Sequence, residues 1–150
     1  MSNSKSSLKK IFIIVAIIMT CAGIIIWYLF TQKFNDTNSQ RAVYTLNALD
    51  LIKEFQKSDS LANKKYAEKI IIVTGIVTEI ESADTTVNIK MGNITTGSYS
   101  IFAFQQQNLN EAKSIKEGDK ISIKGSCSGG AYSEILEAEF ITFKRCALNK

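Results

Sequence analysis

The sequence predicts a mainly β domain, a small closed barrel of five strands behind an N-terminal helix, and it places a single transmembrane helix before that domain. Three observations lead to this prediction. A run of 20 residues without a charge lies near the N-terminus. Beyond residue 44 the apolar residues recur at helical spacing, and from about residue 70 they alternate with polar residues, as they do in strands. Turns that contain glycine separate the alternating segments.

The apolar run from Ile11 to Phe30 is the candidate transmembrane helix. A helix of 20 residues is about 30 Å long, which matches the hydrocarbon core of a bilayer. A lone segment in lipid must satisfy its own backbone hydrogen bonds, so we expect it to be helical. Trp27 and Tyr28 lie near its C-terminal end, where aromatic rings favour the membrane interface. Because the run is apolar on all sides, it is less typical of a helix in a soluble protein.

The positive charge of the chain lies mostly before that run. The formal net charge is +4, from 18 basic and 14 acidic residues. Lys5, Lys9 and Lys10 lie in the basic tail, residues 1–10, without an acidic residue, whereas 15 basic residues nearly balance 14 acidic ones from residue 31 onward. The positive-inside rule then predicts a cytoplasmic N-terminus and a domain on the extracytoplasmic side of the cell (inner) membrane. The surplus charge therefore predicts a topology rather than a nucleic-acid partner.

Three fates of the apolar run remain open, and an uncleaved signal anchor fits the sequence best. A cleaved signal peptide needs a shorter apolar core and a site with small residues, and no good site follows Phe30. A lipid anchor on Cys21 would need small residues before the cysteine and a polar tether after it. Thr20 precedes this cysteine instead, and apolar residues follow it. Residues 31–44, largely polar and without a helical or strand period, are predicted to be a tether.

The barrel domain is predicted over residues 45–147 and begins with a helix over 46–57. Thr45 can cap this helix. The apolar positions recur at spacings of three and four, so that one face of the helix is buried. These positions are Leu46, Leu49, Ile52 and Phe55. A break at 58–60 precedes a second short helical turn.

Five strands follow the helix, and we expect them at about 70–81, 86–91, 98–105, 120–126 and 134–143. Gly75, in the middle of the long first strand, predicts a bend or a bulge. A short helix is predicted at 108–115, between the third and fourth strands, and a loop of small residues at 126–133. This order of elements is that of an OB-fold, whose closed sheet leaves few strand edges exposed.

Two groups of spaced residues in the domain resemble a known family. The first is Ala48-x-x-Leu51-x-x-x-Phe55, followed by Ala62-x-x-x-Tyr66-x-x-Lys69-x-Ile71-x-Val73-x-Gly75-x-Val77. The second is Gly118-Asp119-x-Ile121-x-Ile123-Lys124-Gly125-x-Cys127-x-Gly129, with the late Cys146. Together they resemble the tRNA_anti-like OB-fold family of bacterial proteins, over roughly residues 45–147.

The resemblance implies an OB-fold, and it is more specific for the fold than for a function. Members of this family are often small proteins that are membrane-anchored or similar to lipoproteins. The family name records a likeness to anticodon-binding domains and does not imply tRNA binding. The resemblance further implies that four positions determine the fold rather than catalyse a reaction. They are Gly75, Gly118, Asp119 and Gly125.

Cys127 and Cys146 form a candidate disulfide. Cys127 ends the predicted fourth strand and Cys146 follows the fifth, so the sulfurs come within bonding range if these strands are neighbours. Outside the cytoplasm an even pair of cysteines favours a disulfide. Closing a loop of about 20 residues would stabilise the domain by roughly 3 kcal/mol in the chain-entropy model. The alternative is two unconnected buried thiols.

The composition narrows the chemistry that the domain can perform. The chain has no histidine, which excludes a histidine base, a histidine-dependent triad and a histidine metal ligand. Glu137 and Glu139 fall on one side of the predicted fifth strand, about 7 Å apart, and such a pair could serve hydrolysis. A solvated strand surface is the ordinary explanation of this pair. We therefore expect no enzyme activity, no metal and no cofactor.

OB barrels bind ligands on their second and third strands and on the adjoining loops. The candidate ligand-binding residues in this region are Lys90, Tyr99, Phe102, Phe104 and Tyr132. Single-stranded nucleic acid needs such aromatic and basic side chains, but one side of the third strand must fill the barrel. The sequence therefore favours a non-catalytic, membrane-anchored binding module for an envelope protein, peptide or glycan. Binding of single-stranded nucleic acid is the alternative.

Overall fold

The computed structural model describes residues 4–31 and 37–150, with the side chains of 14–28 and 37–150. The chain forms two compact units, Met1–Phe34 and Asn35–Lys150. The lysine side chains of the predicted basic tail and residues 32–36 of the predicted tether lie outside the described part.

The first unit is one helix, α1 (Ser4–Thr31), which extends over the whole apolar run. Its described side chains, at residues 14–28, are all exposed. Over the residues that the structure describes, no helix combines the length and the hydropathy of a membrane span. The predicted transmembrane helix over 11–30 is thus present as a helix, and its membrane span gains no support from this finding.

The second unit is mainly β. Its elements, in chain order, are β1 (Tyr44–Asn47), α2 (Ala48–Lys57), α3 (Asp59–Tyr66), β2 (Ile70–Ile76), β3 (Glu79–Ser82), β4 (Val87–Gly92), β5 (Tyr99–Phe104), α4 (Leu109–Ala112), β6 (Lys120–Ser133) and β7 (Ala138–Leu148). Two single turns of 3-10 helix lie at Thr37–Ser39 and Gln106–Asn108.

The strands form one sheet in the order β1-β2-β6-β7-β5-β4-β3. The pairs β1–β2 and β5–β7 are parallel, and the other neighbours are antiparallel. Between β2 and β3 lie only Val77 and Thr78, whose backbone amides donate to the carbonyls of Asp119 and Lys90, each at 2.9 Å. If β1 is left out, β2 lies at one end of the sheet and β3 at the other. Their connection therefore closes the sheet into an OB barrel.

Residues 37–150 form seven strands, so the predicted number of five is wrong. The predicted first strand is divided into β2 and β3 at Val77 and Thr78, whereas Gly75 continues β2. A side chain at Gly75 would not fit, because an added Cβ would lie 2.8 Å from Ala48 Cβ and 2.9 Å from Met91 Sδ. This glycine thus permits the close approach of α2 and β4 to the strand, rather than the predicted bend.

The second additional strand is β1, whose residues were predicted to belong to the end of the tether and the start of the helix. It pairs in parallel with β2 and leads directly into α2. Asn47, rather than the predicted Thr45, caps α2, since Asn47 Oδ1 accepts the Leu49 backbone amide at 2.9 Å. The helix therefore begins two residues later than predicted, at Ala48.

The last two strands also differ from the prediction. β6 continues through 126–133, which the sequence predicts as a loop, and β7 begins at Ala138, four residues later than the predicted fifth strand. The small residues serve packing instead. An added Cβ at Gly130 would lie 2.8 Å from the Phe55 ring, so the glycine lets α2 approach the strand closely.

The core lies between α2 and the sheet and inside the barrel. Ile52 and Phe55 of α2 are buried as predicted, and the flanking Leu51 is buried with them. Phe102 stacks on Phe143 across β5 and β7 with ring centroids 4.7 Å apart. Leu49, predicted on the buried face of the helix, is 43% exposed. It faces the pocket described below.

Candidate functional site

The structure separates the five predicted ligand-binding residues into three groups. Phe102 is fully buried and Phe104 is 8% exposed, so both belong to the core, and their predicted contact with a ligand is wrong. Side chains alternate along a strand, which places Tyr99 on the opposite side of β5. Tyr99 and Lys90 remain together, and Tyr132 lies elsewhere.

Tyr99 and Lys90 line an open cleft of about 250 Å³, here called the strand-face cleft, together with Thr78, Asn93 and Gly97. The Lys90 ammonium lies over the Tyr99 ring, with Nζ 5.2 Å from its centroid. β4 and β5 position the two residues, because Gly92 and Tyr99 are paired in this hairpin. The cleft thus offers an aromatic ring and a cation on the second and third strands of the barrel, where the sequence predicts a ligand.

The charge of Lys90 is compensated within the domain. Its Nζ lies 2.6 Å from a Glu81 carboxylate oxygen and 3.1 Å from one of Glu79. The Glu81 carboxylate raises the pKa of Lys90, and the ammonium in turn lowers the pKa of Glu81. Two carboxylates around one ammonium leave this part of the strand-face cleft with no surplus of positive charge.

The loop between β4 and β5 is held by its own hydrogen bonds. The Asn93 amide donates to the Ser98 carbonyl at 2.8 Å, and Asn93 Oδ1 accepts the Thr95 amide at 2.9 Å. Gly97 has φ +69°, a conformation that favours glycine. The loop holds Ile94 in solvent with 92% of its surface exposed.

A second pocket, of about 310 Å³ and mostly apolar, adjoins the strand-face cleft. It lies where β2 and β4 approach at the closure of the sheet, and we call it the seam pocket. Its lining includes Leu49, Gly75, Ile76, Met91, Ile94 and Lys120. Ile76 is 58% exposed, so three aliphatic side chains around this pocket face solvent. This pocket was not predicted from the sequence, although an isoleucine within the polar turn 92–97 was a signal.

Tyr132 belongs to a third feature, the end of the β6–β7 hairpin. Tyr132 is 52% exposed, Ile135 is 94% exposed and Leu136 is 59% exposed. Residues 132–137 are here called the hairpin tip. Tyr132 is not among the residues that line the strand-face cleft.

Cys127 and Cys146 are both free thiols and fully buried, which contradicts the predicted disulfide. Cys127 pairs with Phe143 in the β6–β7 ladder, so the two cysteines do not lie directly opposite each other. Cys146 packs instead against Gly125, where an added Cβ would lie 2.7 Å from its Sγ. Burial raises the pKa of both thiols, which makes them neutral, apolar members of the core.

The predicted carboxylate pair on the last strand is not formed. Glu137 is exposed in the turn before β7 and has φ +49°, whereas Glu139 is 6% exposed. Burial raises the pKa of Glu139, and the nearby Asp59 carboxylate raises it further. Among the side chains that the structure describes, none forms a hydrogen bond with its Oε2. Within the described residues, no group of three or more His, Cys, Asp or Glu side chains could hold a metal ion.

The Gly-Asp turn lies next to the closure of the barrel. Gly118 has φ +89° and donates its amide to the Val77 carbonyl at 2.8 Å. Asp119 Oδ2 accepts the Lys116 amide at 2.9 Å. Both residues therefore hold backbone groups in place.

One family and one solved structure are similar to this chain over most of its length. The family described as tRNA_anti-like matches residues 5–137. A Klebsiella pneumoniae lipoprotein, whose name describes it as nucleic acid-binding, has a similar structure with a TM-score of 0.56 and 17% identity, over 79% of this chain and 100% of that one. A Leishmania major structure described as an aspartyl-tRNA synthetase gives a TM-score of 0.45 and 5% identity, over 79% of this chain and 22% of that one. A search of curated proteins gave no match.

The family match covers most of the chain and includes the barrel strands up to the turn before β7. The strand order, with its closure through Val77 and Thr78, is that of an OB barrel. This protein belongs to the tRNA_anti-like family of OB-fold proteins.

Proposed function

We propose that this protein is a non-catalytic interaction module, anchored in the cell membrane by residues 11–30, whose strand-face cleft binds an envelope protein, peptide or glycan on the extracytoplasmic side. The observation that carries the proposal is the position of the Lys90 ammonium between the Glu79 and Glu81 carboxylates, beside the Tyr99 ring.

The charge of the cleft favours a ligand that is not a polyanion. The Glu79 carboxylate lines the cleft and repels phosphates. The Lys90 ammonium that would attract them is already paired with Glu79 and Glu81. The Tyr99 ring and the polar groups of the 93–98 loop suit a peptide or a sugar, because such ligands combine apolar surface with hydrogen-bonding groups. The fixed loop favours binding without a large ordering cost.

A photoreactive residue in the cleft tests this role in cells that produce the full-length protein. We expect a crosslinker at Asn93 to give a discrete product, and the same group at Ala83 to give none. Ala83 is a matched control because it is exposed in the turn between β3 and β4, at the other end of β4 from the cleft. Protease, glycosidase and nuclease treatment then identify the class of the captured partner. Equal products at both positions would contradict a site in the cleft.

The membrane anchor is supported by three features. Residues 11–30 carry no charge, the lysines before them are not accompanied by acidic residues, and α1 extends through the whole segment. A membrane-impermeant thiol reagent tests the topology in a Cys21→Ser background. We expect Ala83→Cys to react in intact cells and Ser6→Cys to react only after lysis. The reverse pattern would show that the topology is inverted, and release of the protein without detergent would exclude the anchor.

Single-stranded nucleic acid is the second candidate ligand. The name of the Klebsiella lipoprotein describes it as nucleic acid-binding. In proteins that bind single strands, bases stack on aromatic rings next to basic side chains, and Lys90 and Tyr99 are such a pair. Titration of the full-length protein with labelled oligonucleotides separates the two candidates. We expect no salt-sensitive binding to the wild type. Binding that is lost with Tyr99→Ala and strengthened by Glu81→Gln would establish the second candidate instead.

A further inference from the structure

The hairpin tip and the seam pocket are complementary surfaces on the same chain. We propose that the hairpin tip of one copy inserts into the seam pocket of a second copy, so that the protein associates with itself. Ile135 and Leu136 would enter the apolar pocket, and Glu134 would pair with Lys120 at its edge. Thr78, Gly92 and Ile94 line both the seam pocket and the strand-face cleft, so the hairpin tip and a cleft ligand would meet at this border. The contact does not depend on the membrane anchor.

The hairpin tip presents apolar side chains without cover. The β6–β7 ladder ends at the pair Ser133 and Ala138, and the turn beyond it is held by a hydrogen bond from the Leu136 amide to Ser133 Oγ at 3.3 Å. Ile135 is 94% exposed and Leu136 is 59% exposed. Contiguous exposed apolar surface marks interaction sites, and Tyr132, Ile135 and Leu136 together form such a surface at the hairpin tip.

The seam pocket has the size and the lining to receive them. Its volume of about 310 Å³ lies near the lower limit of ligand pockets, which suits a few aliphatic side chains better than a large ligand. Leu49, Ile76 and Ile94 surround it and are themselves partly or largely exposed. Ala48, Gly75 and Met91 also line the pocket.

The charges of the two surfaces are opposite. Lys120 lies at the pocket, and Glu134 and Glu137 flank the apolar residues of the tip. All three side chains are exposed. None of them forms an ion pair within residues 37–150. A second copy therefore offers Lys120 a carboxylate next to the aliphatic side chains that the pocket accommodates.

The geometry of such a contact follows from its two different surfaces. If the tip of each copy enters the pocket of the other, the result is a two-fold symmetric dimer. If each tip enters the pocket of a further copy, the result is a ring or an open filament. The contact is small, so the association is expected to be weak for copies that are free in solution. Two copies held at one membrane would associate more strongly, because their effective concentration is higher.

Cysteine crosslinking between differently substituted full-length chains tests the proposal in detergent solution. In a Cys21→Ser background, Ile135→Cys is mixed with Ile94→Cys or with the control Ala83→Cys. All three positions are exposed, so the substitutions leave the core unchanged. We expect disulfide-linked heterodimers from the pocket mixture to form about tenfold faster than from the control mixture, which corresponds to about 1.4 kcal/mol.

Charge reversal provides the second measurement. Lys120→Glu in the pocket chain and Glu134→Lys in the tip chain are each expected to slow the crosslink a few-fold, and the combination of both is expected to restore it. Equal rates with Ile94→Cys and Ala83→Cys, or rates that the reversals do not change, would overturn the proposal. A synthetic peptide that contains acidic and aliphatic residues and a cysteine is a further comparison. If this peptide crosslinked to Ile94→Cys and the Ile135→Cys chain did not, the proposal would be overturned, because the pocket would then bind a segment of another protein.

Discussion

The Asn63 side chain makes two hydrogen bonds with the backbone of Gly130. Its Nδ2 donates to the Gly130 carbonyl at 2.7 Å, and its Oδ1 accepts the Gly130 amide at 2.9 Å. An asparagine amide provides the same donor and acceptor as a peptide group, so Asn63 replaces a strand neighbour at this point of β6. In this way α3 is attached to the sheet.

We expect Asn63→Ala to destabilise the domain by about 1–3 kcal/mol, because both backbone groups of Gly130 lose their partner in a half-buried position. Urea unfolding followed by circular dichroism measures this change. Asn110→Ala is the matched control, since Asn110 is exposed on α4, and it should change the stability by no more than a few tenths of a kcal/mol. Equal effects of the two substitutions would contradict the role of the Asn63 side chain.

Gly75 and Ala48 give the second prediction. Gly75→Ala is expected to cost about 1–3 kcal/mol, since the new Cβ would lie 2.8 Å from Ala48 Cβ and 2.9 Å from Met91 Sδ. Ala48→Gly removes one of these contacts. In the double variant the loss should therefore be smaller than the sum of the two single losses, and a double-mutant cycle measures the difference. Additive losses would show that the two residues do not interact.

The alternation of apolar residues predicted most strands, but it could not predict how the sheet closes. Along β5 the sequence shows two apolar sides, and only the parallel pairing of β5 with β7 decides that Phe102 faces Phe143 inside the barrel. The division of the first strand at Val77 and Thr78 depends on the Asp119 and Lys90 carbonyls. These carbonyls are distant in sequence and become neighbours only in the closed sheet.

The small residues at 126–133 gave a wrong prediction, because glycine is common both in loops and at close contacts within a sheet. The glycines at 129–130 predict a loop when only the local sequence is considered, whereas in the structure Gly130 lies within β6 and contacts Phe55. The candidate site was predicted in part: Lys90 and Tyr99 do meet, as their places on the second and third strands indicate. The pairing of Lys90 with two carboxylates could not be inferred, because it depends on the register between β3 and β4.

Glu139 gives a prediction about pH. Glu139 is 6% exposed, and burial raises the pKa of its carboxyl above the ordinary value of 4.5. The folded protein therefore binds more protons than the unfolded chain between the ordinary and the raised pKa. Stability is then lost as the pH rises through that interval. Asp59, whose carboxylate acts in the same direction, strengthens the effect.

We expect Glu139→Gln to be more stable than the wild type at neutral pH and to remove this loss, since the amide cannot ionise. Thermal unfolding at a series of pH values from 4 to 8 measures both changes. Glu134→Gln is the control, because Glu134 is exposed, and its stability should follow that of the wild type. A wild type whose stability increased across the interval would contradict the raised pKa of Glu139.

The thiols give the last prediction. Cys127 and Cys146 are fully buried, and burial raises the pKa of both, so neither forms the thiolate that attacks an aromatic disulfide reagent. Cys21 is exposed. In detergent, however, Cys21 lies within the proposed anchor and is covered by the micelle, so the Cys21→Ser variant is the informative one. When folded, it should titrate as no reactive thiol. After unfolding in guanidinium, all 3 cysteines should react in the wild type. If the unfolded wild type showed a single reactive thiol without a reductant, Cys127 and Cys146 would be joined by a disulfide. This result would contradict the two free thiols of the structure.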